Sequence, residues 1–77
     1  MAFTYGDAVR VTDAAPQKYK PGSVASVIGW REASRRDLGI SPNDQSMVLV
    51  IHVEYGDGSD NEVPQKYLEP YSEEAAK

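Results

Sequence analysis

The chain contains no cysteine among its 77 residues. Disulfide staples, thiolate metal sites and cysteine nucleophiles are therefore excluded. A small domain without disulfides fits a reducing compartment. Histidine is almost as scarce, since His52 stands alone. Long apolar runs are missing too: the longest, Met47 to Ile51, is far short of a membrane span. Met1 to Asp7 lack a basic region followed by an apolar run, so no signal peptide is expected. The reading is a soluble, cytoplasmic protein without a membrane partner.

Several chemistries are absent as well. There is no Gly-rich phosphate loop, nucleophile elbow or metal-ligand pair. No set of acid, base and nucleophile can be assembled from the sequence. The expectation is a protein that binds and does not catalyse, with no cofactor and no metal.

The length indicates one domain, near the lower limit for a self-sufficient core. Apolar residues make up 40% of the chain and charged residues 26%, a globular composition. Twelve acids face eight bases, for a formal net charge of −4. Nucleic-acid-binding modules usually carry the opposite sign, because phosphate contacts dominate their affinity. Nucleic acid is thus disfavoured as a partner. An acidic surface favours solubility or a basic partner.

Asp7 to Thr12 alternate apolar and polar residues, which predicts a half-buried strand with Val9 and Val11 facing the core. Asp13 to Gly22 carry Pro16, Pro21 and Gly22, which predicts a loop. Ser23 to Trp30 form a second strand whose pattern is irregular: Ala25 and Val27 point one way, Val24 and Ile28 the other. Gly29 would permit a bend there. Arg31 to Leu38 allow a short helical turn, and Gly39, Pro42 and Asn43 stop anything longer. The whole Arg31 to Gln45 stretch is long for a hairpin connection, and long loops in compact domains are often functional.

Ser46 to Tyr55 give the strongest strand signal. Met47, Leu49, Ile51, Val53 and Tyr55 share one face; Val48, Val50, His52 and Glu54 share the other. Gly56-Asp57-Gly58 makes a tight hairpin turn. Asp60 to Val63 follow as a fourth strand, Pro64 to Tyr67 as a single 3₁₀ turn, and Leu68 to Tyr71 as a short last strand. Residues 72–77 read as a frayed tail after a domain spanning 1–71. Five short strands with one turn before the last predict an all-β fold, a single five-stranded SH3-like barrel. Closing the sheet would remove exposed edges. The tetrapeptide Pro-Gln-Lys-Tyr occurs twice, at Pro16 to Tyr19 and Pro64 to Tyr67. Two copies match no repeat architecture, and the plain reading is two similar turn-plus-aromatic plugs.

Three segments resemble SH3-like domains, among them Tudor and KOW-type barrels: Gly6 to Val11, Pro21 to Gly29, and Val53 to Ser59 with Val63-Pro64 and Leu68-Glu69. More narrowly, the chain resembles small bacterial immunity proteins of polymorphic toxin systems that have an SH3-like fold. The residues that carry this are Tyr5 to Val11, Gly22 to Gly29, Val48 to Asp57, and Pro64 with Leu68-Glu69-Pro70. The resemblance implies a neutraliser that binds one cognate toxin domain tightly. The Arg31 to Gln45 insert departs from the tightest form of the pattern.

The candidate binding residues are each weighed against a plain structural role. His52 lacks partners at metal or catalytic spacing and reads as an outer-face strand residue. Glu54, Asp57, Asp60 and Glu62 gather on the last hairpin. They would accept Arg or Lys from a basic partner, or they are a solvated turn. Five tyrosines, Trp30 and Phe3 supply aromatic surface; such residues anchor interfaces or plug a small core. Trp30, where a strand meets the long loop, is the best candidate for an exposed anchor. Arg31, Arg35 and Arg36 interleave with Glu32 and Asp37, a mixed surface and not a nucleic-acid stripe.

The leading expectation is an immunity protein whose partner is a basic toxin domain. Contacts would come from Trp30, Arg35, Asp37, Glu54, Asp57, Asp60 and Glu62, with charge complementarity speeding encounter. One alternative is a Tudor- or KOW-like adaptor for nucleic acid or ribonucleoprotein. Another is an accessory barrel subunit of a larger complex.

Overall fold

The alternating and β-branched segments all become strands. The computed structural model describes residues 3–71, and the expected tail at 72–77 lies outside the described residues. The strands are β1 (Ala8–Val11), β2 (Val24–Ser34), β3 (Met47–Tyr55), β4 (Asp60–Pro64) and β5 (Leu68–Pro70). They form one antiparallel sheet in the order β4-β3-β2-β1-β5. The fold is all-β. The sheet is not closed: β4 and β5 are its two ends, and closure by pairing them, as expected from the sequence, is not observed.

Both Pro-Gln-Lys-Tyr copies fold alike. Each proline takes an extended conformation, with φ −57° at Pro16 and φ −55° at Pro64, and a 3₁₀ turn follows over Gln17–Tyr19 and Gln65–Tyr67. Proline suits this position because its fixed φ starts the turn and its missing N–H is not needed there. The chain after the first copy turns through Lys20 at φ 59°, whereas Leu68 after the second runs directly into β5.

The core gathers on one side of the sheet. Val9, Val11, Val27, Ile51, Val53 and Val63 are wholly buried there, with Phe3, Ala25, Tyr19, Tyr55 and Leu68 around them. Tyr55 is buried with its hydroxyl donating to the Tyr19 carbonyl at 2.8 Å, so the polar end of the ring is satisfied inside the core. At the far side of β1, Arg10 stands opposite Glu69 of β5 and donates to its carboxylate at 3.0 Å.

The irregular second strand is a β-bulge. Val27 pairs with Val53, yet Gly29 pairs with His52, so Ile28 is the extra residue. One inserted residue exchanges the faces of everything after it. Ala25 and Val27 face the core, and after the bulge the even-numbered residues take that side. Trp30 then stands opposite Ile51, and Glu32 opposite Leu49. Arg31 and Ala33 move to the other face, opposite Val50 and Val48.

The strand also runs further than expected. β2 continues to Ser34, so Arg31 to Ser34 are strand and the expected helical turn over Arg31 to Leu38 does not form. The connection that remains is a series of turns. It is held by Arg36 N–H to the Asp44 carbonyl at 2.9 Å and Ile40 N–H to the Arg35 carbonyl at 3.0 Å. Among the described residues, no helix is long and apolar enough to cross a membrane.

Candidate functional site

The outer face of β2, β3 and β4 carries the charges of the last hairpin. Register places His52 opposite Glu62, and Glu54 opposite Asp60. Arg31 reaches from β2 to Glu62 on β4, making two hydrogen bonds, one of them at 3.0 Å from Nη2 to Oε1. Because Arg31 is opposite Val50 and Glu62 is opposite His52, this ion pair crosses β3 between those two residues. It passes beside Val50, which is fully buried on this face, as is Ala33 further along β2. The guanidinium holds the Glu62 carboxyl below the usual carboxylate range, and Glu62 raises Arg31 in return. His52 Nε2 lies 2.5 Å from Asp60 Oδ2.

Asp57 is bound into the turn itself. Its Oδ1 accepts from the Ser59 hydroxyl at 2.6 Å and from the Ser59 N–H at 2.9 Å. Lys20 lies 3.4 Å from its other oxygen and donates to Ser59 Oγ at 3.1 Å. The Ser59 bonds, reinforced by Lys20, push the Asp57 carboxyl down to about 2. The ammonium of Lys20 also sits 4.6 Å from the Tyr55 ring centre. The hairpin is thereby tied to the first 3₁₀ turn.

These contacts divide the residues expected to bind. Asp57, Asp60 and Glu62 are engaged with Lys20, His52 and Arg31. Glu54 projects from the outer face without an ion pair among the described residues, and is exposed. Asp37 is exposed in the turns after β2, its N–H donating to Ser34 Oγ at 3.1 Å. Trp30 lies inside β2 and not at a strand end, and is 48% exposed. Arg35 lies 3.8 Å from Asp44. Trp30 is thus on a different surface from the hairpin carboxylates, because the bulge puts it on the core side, and Arg35 lies beyond the end of β2. No group of three His, Asp or Glu residues among the described residues is placed to hold a metal ion.

A groove of about 550 Å³ lies where the β2–β3 hairpin extends past the core. Its walls are mainly apolar: Phe3, Val48, Leu49, Pro64, Leu68 and Pro70. Ile40 and Arg35 from the long connection, with Gln65 and Lys66 from the second 3₁₀ turn, form the rest of its lining. Ile40 is a large apolar residue left 39% exposed. Lys66 is exposed, makes no ion pair among the described residues, and lies 4.9 Å from the Tyr67 ring centre.

Of the groove, only Arg35 was singled out by sequence. Lys66 and Pro64 were visible as part of the repeated tetrapeptide, and the length of the 31–45 connection pointed to its far wall. Phe3 stands among the aromatic residues, Val48 on one face of the third strand and Pro70 in the last strand, but nothing in the sequence joins them, since their meeting depends on how the sheet curls. No family model matches the chain, and no curated protein or solved structure matches it.

Proposed function

We propose that this chain is a protein-binding module with an SH3-like fold that neutralises a bacterial toxin domain by direct, stoichiometric contact. The strand order β4-β3-β2-β1-β5 and the 3₁₀ turn leading into the last strand support the SH3-like reading. The barrel in this reading is a partly open one, with its gap between β4 and β5.

The observation that carries the binding reading is the apolar groove, with a half-exposed Trp30 as a second, separate feature of the surface. Large aromatic side chains at the surface are typical interface anchors. A concave apolar surface with a few charged groups is a typical recognition site. The toxin as partner rests on the resemblance to immunity proteins, and the net charge of −4 suits encounter with a basic domain. Of the acids expected to bind, Glu54 and Asp37 make no ion pair among the described residues and are free to meet it. Asp57, Asp60 and Glu62 shape the hairpin in this reading.

Co-expression tests it. The reading expects an adjacent gene to encode a toxin-like C-terminal domain; cells producing that domain should survive when the chain is co-produced, and the two proteins should co-purify. Cell death despite soluble chain, with no complex recovered, overturns the reading.

A further inference from the structure

We propose that the groove between the second 3₁₀ turn and the long connection receives an apolar segment of the partner protein that bears a carboxylate, gripped by Lys66 and Arg35. This rests on the protein-binding reading and assigns the chemistry of one contact. The groove's volume of about 550 Å³ falls within the roughly 300–1,000 Å³ of ligand sites. Phe3, Pro64 and Leu68 form its buried floor, while Val48, Leu49, Ile40 and Pro70 leave apolar surface open to water around it, surface that an apolar segment would cover favourably.

The charge at its rim selects the occupant. The chain as a whole is acidic, yet among the described residues no acidic side chain lines this groove. Its two charged lining residues are cations, Arg35 and Lys66. Arg35 meets Asp44 only at 3.8 Å, which leaves most of its fork of donors for another acceptor. Lys66 has no carboxylate partner among the described residues. A cationic rim on an apolar groove fits an apolar segment ending in, or followed by, Glu or Asp. It repels a segment followed by Lys or Arg, which supplies discrimination as well as affinity. The acidic outer face and the cationic groove then meet opposite charges on one partner, which fixes its orientation.

The test uses the full chain labelled with nitrogen-15 and two synthetic peptides. One carries Leu-Val-Leu-Glu-Glu and the other Leu-Val-Leu-Lys-Lys, each flanked by Gly and Ser. The acidic peptide is expected to shift the amides of Val48, Leu49, Lys66 and Leu68 and to bind at least tenfold more tightly than the basic one, a factor of ten being 1.4 kcal/mol. Lys66→Glu is expected to remove that preference while the amide spectrum stays folded. Equal binding of both peptides, shifts outside the groove, or binding of neither overturns the proposal. If the acidic peptide binds only after Glu73 and Glu74 are changed to Lys, the chain's own terminus is the occupant and the proposal falls. Groove amides that move with chain concentration alone assign it to a second copy, and it falls again. A toxin domain that binds the Lys66→Glu chain as tightly as the parent removes the groove contact while the binding-module reading stands.

Discussion

The rings of Tyr19 and Tyr67 lie 5.8 Å apart with 33° between their planes, each delivered by an identical Pro-Gln-Lys-Tyr turn. The pair joins the connection after β1 to the connection before β5. Thr12 N–H donates to the Tyr67 carbonyl at 2.8 Å, and the Asn61 side chain donates to the Lys18 carbonyl at 2.9 Å. The repeat is therefore structural: two prolines start two turns, and two rings meet over one end of the core. A double-mutant cycle of Tyr19→Leu and Tyr67→Leu should give a coupling of about 0.5–1.5 kcal/mol in denaturant unfolding. Additive single effects would show that the rings do not support one another.

The buried bond from Tyr55 to the Tyr19 carbonyl carries a second expectation. Tyr55→Phe keeps the ring and leaves a carbonyl inside the protein without its donor. That should cost about 1–3 kcal/mol. Tyr5→Phe, at a ring that is 73% exposed, should stay within about 0.5 kcal/mol of the parent. Urea midpoints of the two variants compare them directly.

Acid should weaken the hairpin first. The Asp57 carboxyl is depressed from the ordinary 3.8 to about 2 in the folded chain. A group depressed on folding stabilises the native state fully above its unfolded value. That contribution is lost as pH falls from about 4 through about 2. Glu62, lowered by Arg31, acts in the same direction. Stability should therefore fall with decreasing pH across this window. Asp57→Asn should start less stable at neutral pH and show a shallower acid slope. Parallel slopes for variant and parent would contradict this.

The bulge at Ile28 sets which side chains reach which surface. Gly29→Ala should fold with stability near the parent, since the added Cβ meets only His52 Cβ at 3.8 Å, an ordinary contact. Deleting Ile28 removes the unpaired residue and leaves Val27–Val53 and Gly29–His52 as successive pairs of a regular ladder, so Arg31 keeps its place opposite Val50 and its ion pair with Glu62. The cost should be confined to the local twist that the bulge adds. Thermal unfolding of both variants tests this, and an Ile28 deletion that does not fold would sink it.

That bulge also marks where the sequence stopped being legible. Alternation exposed β1 and β3, with Val9, Val11, Ile51 and Val53 in the core. Proline and tyrosine marked the second 3₁₀ turn. Both readings rest on local period and local sterics. Ser23 to Trp30 have no consistent period because one residue is unpaired, and the polar residues after Trp30 look like the end of the strand. Arg31 to Ser34 look polar and helix-prone, yet β3 holds them in the sheet, so tertiary pairing overrode local preference. The site was less legible still. The hairpin acids were evident, but their engagement by Lys20, His52 and Arg31 depends on residues distant in sequence. The groove joins Phe3, Ile40, Val48 and Leu68, which only the folded chain brings together.

Calorimetric titration of the purified chain into the proposed partner, a toxin-like domain from an adjacent gene, tests the binding function most directly. The expected result is a saturable one-to-one complex that abolishes toxin activity, weakened roughly tenfold or more by Trp30→Ala, as for an interface anchor. No heat of binding and undiminished toxin activity at equimolar chain would contradict it.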